Sequence, residues 1–315
     1  MGLLLLIAIA AAAASALLAA GVAAGSMLAV PLFYLAPLPV MIAGVAFSPL
    51  AALVAVVLAS AALGFFYSGS FLLAYAVGMG LPAFALSYAA LLGRPLAEAQ
   101  GGLAWFPVGR LVLLAAGFAS LGVWVALFAM ATDYETYRAA VTEAFEAMTG
   151  GAAAGAGHDG QAMGTFVAHV MPPMAGTISM VSQLLCLYLA GRAALVSQRL
   201  ARPWPQLSAF RLPPLAGFAL VGALAVSLVP GMLGLCASVL AATLLLAYAL
   251  AGFAVVHAVT LGHGARFLIL AGLWITALVL GWPMIAMAVL GIADALFDFR
   301  SRFATGLGPP AANDR

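Results

Sequence analysis

Trp282-Pro283-Met284-Ile285-Ala286-Met287-Ala288-Val289-Leu290-Gly291-Ile292-Ala293-Asp294-Ala295-Leu296-Phe297-Asp298-Phe299-Arg300-Ser301-Arg302 begins as a membrane helix begins and ends in charge. Trp suits the membrane–water interface, and Pro suits the first helical position, where its missing N–H is no loss. Counted at roughly 1.5 Å per residue from Trp282, Asp294 falls past the middle of a roughly 30 Å hydrocarbon slab but short of its far edge. An ionisable group at that depth is a candidate functional residue. A plainer reading stands beside it: Asp294, Asp298 and Arg302 fall one helical turn apart and can close a helix whose end already lies among headgroups. If Asp294 is buried it needs a cation. Arg211 and Arg266 open neighbouring spans at the same level and are its expected partners, with Arg300 and Arg302 closing the helix. On this reading Asp294→Asn leaves folding intact and impairs function.

Working outward, the whole chain has the same character. Of its 315 residues, 66% are hydrophobic and 6% charged. No soluble core hides that much apolar surface, so the expectation is an all-α, polytopic transmembrane helical bundle forming a single integral membrane domain over residues 1–315. All 11 basic residues are arginine. Without lysine there is no P-loop and no Schiff-base or pyridoxal-phosphate chemistry. A net charge of +2 gives no reason to expect a nucleic-acid partner. Cys186 and Cys236 fall in apolar runs and read as small buried hydrophobes.

About ten spans are expected, with kinked or broken helices among them. The first, Met1 to Ala24, lacks the basic start of a signal peptide and is expected to stay. Its stripe Ala8, Ala12, Ala16, Ala20 and Ala24 would let another helix approach closely. The second holds Pro31, Pro37 and Pro39, together with Tyr34. Each proline removes a helical hydrogen bond, so the segment should break, and in lipid its freed carbonyls must face protein or water. Gly78-Met79-Gly80-Leu81-Pro82 predicts a second kink of the same kind. Broken helices often mark transporter binding sites, which makes Tyr34, Pro37, Pro39, Pro82 and Asp294 the candidate ligand-binding residues. A kink used only for packing is the other reading.

Thr132-Asp133-Tyr134-Glu135 has capping-box spacing, with Thr132 as the expected cap. After it, Tyr134, Tyr137, Val141, Phe145 and Met148 share one helical face. An amphipathic interfacial helix followed by a Gly/Ala linker is expected over residues 132–160, on the outer side. The sixth span is expected to follow Pro172-Pro173 and end near Gly191. The last two spans are short, like a hairpin that thins the membrane locally or lines a cavity. Residues 192–212 form the most basic loop. With a cytoplasmic N-terminus this loop and nearly every other arginine are cytoplasmic, and only Arg138 lies outside. The expectation is a multi-pass protein of the bacterial inner membrane with both termini inside.

Chemistry is sparse. His158, His169, His257 and His263 have no metal-binding spacing, and no serine sits in a nucleophile elbow. No cofactor is expected, and nothing argues for an enzyme.

Gly291-Ile292-Ala293-Asp294 running into Asp298-Phe299-Arg300, the entry Phe210-Arg211-Leu212-Pro213 and the proline-rich Pro31 to Pro39 resemble the YybS-like family of bacterial membrane proteins. That family is distantly similar to the substrate-binding (S) components of energy-coupling-factor transporters. The resemblance implies a membrane-embedded binding or transport protein for an unknown small molecule, docked on other membrane subunits through an alanine stripe. About ten spans depart from the six of an S component. The alternative is a cell-envelope scaffold that recruits other membrane proteins.

Overall fold

A computed structural model of the chain describes residues 2–24, 29–95, 103–148 and 158–300. Among the described residues, seven helical stretches are long and apolar enough to cross a membrane: Gly2–Ala20, Ala29–Ala46, Pro49–Phe66, Gly69–Ala90, Val108–Met130, Ala162–Val196 and Met232–Val259. Three shorter apolar helices, Leu215–Ser227, Arg266–Leu280 and Pro283–Phe297, occupy the other expected spans. A helix of 15 residues, the length of the last two, reaches only about 22 Å, short of a roughly 30 Å hydrocarbon core. The chain is an all-α membrane bundle. Among the described residues the one departure is a small antiparallel hairpin, Gly93–Pro95 with Leu103–Trp105, where the sequence reads as a short polar connection.

Within the expected single domain the chain falls into two compact units. The first comprises Met1–Pro203 and Leu220–Thr243, the second Trp204–Ala219 and Leu244–Arg315.

In the first unit, proline placement decides where helices start. Ser48 caps Pro49–Phe66 through its Oγ, which accepts from Leu50 N at 3.2 Å. Ser68 caps the next helix by accepting from Phe71 N at 3.1 Å. Both do what a serine just before a helix does, offering an oxygen to an orphan N–H. The proline-rich span breaks as expected, into Ala29–Tyr34 and Pro37–Ala46. Gly69–Ala90 is interrupted where expected, but in a different way. It does not break but widens into a π-helical turn over Ala76–Gly80, with Leu81 N reaching back to Ala76 O. Pro82 cannot donate and its ring crowds the carbonyl of Gly78, and the wider turn relieves both.

The sixth span also differs. One helix runs from His158 to Val196, straight through Pro172 and Pro173. The expected linker therefore ends at His158 at the latest, and residues 149–157 lie outside the described residues. At 39 residues this helix is about 58 Å long, far more than the hydrocarbon core requires. The amphipathic helix Tyr134–Met148 packs along its early turns, where Gly164 leaves room for Thr142: a Cβ there would sit 2.7 Å from the Thr142 methyl. Asp133, not Thr132, is the cap. Its Oδ1 accepts from Thr136 N at 2.9 Å and its Oδ2 from Thr136 Oγ1 at 2.7 Å. Tyr137 and Val141 are buried, Tyr134 packs partly buried beside them and Met148 is exposed, so the end of the apolar face does not meet the bundle.

Close helix contacts rest on small residues. On the first helix Ala8, Ala11, Ala12, Ser15 and Ala19 are buried, and that helix packs mainly on Pro49–Phe66. The alanine stripe is thus partly spent inside the chain, and the side chain of Ala24 lies outside the described residues. Gly176 faces Val239, and Ser120 shares a 3.0 Å hydrogen bond with Thr243. Trp124 Nε1 donates to Cys236 O at 2.9 Å. Together these join Val108–Met130 and the long helix to the start of Met232–Val259. Both cysteines are free thiols.

In the second unit two glycines meet. A Cβ on Gly252 would lie 1.9 Å from Met287 O, and one on Gly291 would lie 2.0 Å from Tyr248 O. Only glycine permits backbones to cross this closely. Phe253 stacks on Trp274 at 4.2 Å between ring centroids. Gly281, at φ +71°, turns Arg266–Leu280 into Pro283–Phe297.

Candidate functional site

The backbone irregularities of the first unit converge. The broken helix brings Tyr34 and Pro37, the π-turn brings Gly78 and Met79, and the proline pair of the long helix brings Pro172; all line one cavity of about 310 Å³. Tyr137 of the amphipathic helix and Gly122 of Val108–Met130 complete the wall. Irregular backbone at membrane depth is tolerated where protein or a cavity satisfies it.

The helix break and the proline pair each have a side-chain partner. At the break, Leu38 N turns to Leu35 O at 3.0 Å, which leaves Tyr34 O without its helical donor. Ser182 Oγ donates to that carbonyl, with Cys186 Sγ at 3.5 Å. Ser15 Oγ donates to Ala36 O at 2.6 Å and lies 2.5 Å from the hydroxyl of Tyr75. In the long helix, Pro172 has no N–H for Ala168 O, four residues back. The hydroxyl of Tyr137 supplies that bond at 3.0 Å. Burial, with a smaller push from Tyr134, raises the Tyr137 phenol to about 12, so it stays a neutral donor at any physiological pH.

Among the described residues the cavity wall contains no Asp, Glu, Arg or His. Its polar members are few: Ser179, Ser182, Gln183 and the two tyrosines. Gln183 is 1% exposed. Its Nε2 donates to Ser179 Oγ at 3.3 Å, and its Oε1 has no hydrogen-bond partner among the described residues. A glutamine in an apolar run carries little sequence signal, since depth and facing residues decide its role.

Of the candidate ligand residues, Tyr34 and Pro37 line the cavity, while Pro39 and Pro82 are absent from its wall. Pro82 is instead buried beneath the π-turn. Asp294 belongs to the second unit and is 4% exposed. Its partner is neither Arg211 nor Arg266. Pro283–Phe297 ends sooner than the sequence suggests: Asp298 takes a left-handed conformation at φ +47°, and the chain turns back on itself. Arg300 then donates through Nε and Nη2 to Asp294 Oδ2, at 2.9 and 2.7 Å, while its backbone N reaches Oδ1 at 3.2 Å. Arg300 Nη1 also donates to Ser208 O and Phe210 O, at 3.1 and 2.6 Å.

The carboxylate is fully engaged, and the pair fastens the helix end to residues 208–210. Arg211 pairs with Asp298 at 2.7 Å, both about half exposed. Arg266 opens its helix without an acidic partner among the described residues, and Arg302 lies outside them. Among the described residues no group of acidic, histidine or cysteine side chains could hold a metal.

No curated protein and no solved structure matches the chain. A family model does, over residues 12–295, and its description is a predicted membrane protein (DUF2232). The match covers the broken helix, the cavity and the Asp294 helix alike, and the chain belongs to this family of integral membrane proteins.

Proposed function

We propose that the chain is a membrane-embedded small-molecule binding protein, not an enzyme, which works in transport in the manner of an energy-coupling-factor S component. The observation that carries this reading is the meeting of a broken helix, a π-turn and a proline pair on one cavity, with the break and the proline pair each held by a dedicated hydrogen bond. Packing alone gives no reason for three costly irregularities to share one location. The YybS-like resemblance supports the same role. With no P-loop lysine, ATP drive would come from partner subunits in the bilayer. The arginine distribution supports a bacterial inner-membrane orientation with both termini cytoplasmic.

The test is native mass spectrometry of the protein purified in mild detergent. The expected result is a retained small molecule that is lost from the cavity-filling variant Ala126→Phe. Partner subunits without any ligand would favour the envelope-scaffold alternative; the burial of Ala8 and Ala12 weakens docking through the alanine stripe on either reading.

A further inference from the structure

We infer that the cavity takes a small, uncharged, mainly apolar molecule that presents one hydrogen-bond donor to Gln183. This rests on the binding reading above and names its ligand class. Size comes first: about 310 Å³ lies at the lower end of small-molecule sites, which run from about 300 to 1,000 Å³. That admits a body of one or two rings.

Charge comes next. Among the described residues no ionised side chain lines the wall, and the Tyr137 phenol stays neutral. A charged ligand would lose its hydration and gain no counter-ion, so the site selects against it. The wall is built mainly of Met, Ala, Pro, Leu and aromatic side chains, of which Met79 and Met171 can shift to fit an irregular apolar shape.

Polarity comes last. Two of the lining donors are committed to the chain's own backbone, Ser182 to Tyr34 O and Tyr137 to Ala168 O. Gln183 is different. One end of its carboxamide is held by Ser179, and Oε1 remains buried without a protein partner. Buried acceptors almost always have a partner, and an exception beside a cavity points to what the cavity holds. A hydroxyl or N–H on the ligand supplies it once the Gln183 carboxamide, whose Oε1 has almost no exposed surface, turns toward the cavity. A lipid acyl chain would fill the apolar volume and leave Oε1 unsatisfied, so it fits the site less well.

Three probes of one shape separate these terms: 2-naphthol, neutral with a donor; 2-methoxynaphthalene, neutral without one; and 2-naphthoate, an anion. Each is measured in labelled form by equilibrium dialysis against the protein in lipid nanodiscs at neutral pH, with empty nanodiscs subtracted. The expected order is 2-naphthol, then 2-methoxynaphthalene about fivefold to tenfold weaker for the one lost hydrogen bond, with no saturable binding of 2-naphthoate. Gln183→Met should remove the preference for 2-naphthol and leave 2-methoxynaphthalene binding unchanged. The wild-type comparison decides the matter by itself should that variant not fold.

Equal binding of 2-naphthol and 2-methoxynaphthalene overturns the role of Gln183 and favours an acyl chain. Saturable 2-naphthoate binding overturns the neutral class but leaves the binding reading intact. If no probe binds, the ligand class fails. The broader reading falls with it only if native mass spectrometry also finds no retained molecule.

Discussion

Asp294 and Arg300 are 4% and 7% exposed, and this buried ion pair has all its visible bonding directed inward. Removing one partner of such a pair leaves the other charged and buried. Asp294→Asn should therefore destabilise the protein by about 3–5 kcal/mol, read as an earlier unfolding midpoint in detergent, and not merely alter function. The double variant Asp294→Leu with Arg300→Met should recover part of that loss. Recovery stays partial because Ser208 O and Phe210 O lose their donor as well. Full stability in Asp294→Asn would refute the closing role of the pair.

Asp133 shows the same logic at an exposed site. Hydrogen bonds from the backbone and side chain of Thr136 hold its carboxyl below the ordinary value. A depressed folded pKa means the cap stabilises above the unfolded value and fades as pH falls through the folded one. Hydrogen exchange in the first turn of Tyr134–Met148 should thus quicken only in acid, and in Asp133→Ala at every pH.

The helices are held by details that a hydropathy plot does not register. Tyr137 repairs the gap that Pro172 leaves at Ala168 O. Tyr137→Phe keeps the ring and deletes the repair, and should cost about 1–3 kcal/mol for an unsatisfied buried carbonyl. The comparison in detergent unfolding is with Tyr134→Phe, expected to be near neutral. In the second unit Gly291→Ala would force a Cβ to within 2.0 Å of Tyr248 O. The two helices must part, at an expected cost of about 1–3 kcal/mol or more. Gly272→Ala, where nothing lies within 4 Å of the added Cβ, is the control.

For the whole molecule, orientation remains a matter of charge. Reporter fusions should place Gln206 inside and Gly155 outside, following the arginines. The opposite result at both positions would invert the topology.

What the sequence determined by itself was membership in a class. A chain that is 66% hydrophobic and 6% charged must be a membrane bundle, and prolines crowded between Pro31 and Pro39 must break a helix, because both follow from local chemistry. The short final hairpin was legible in the same way, from segment length alone. Partnerships were not. Asp294 looked like a site because of its depth in the span, and its helix was read straight on to Arg302. A left-handed residue at Asp298 turns the chain instead and delivers Arg300 to it. Gln183 carried no signal, since one glutamine in an apolar run is set apart only by what faces it. Which carbonyl each proline orphans can be counted along the chain. Which serine or tyrosine answers it depends on helices distant in sequence, and only the tertiary structure decides that.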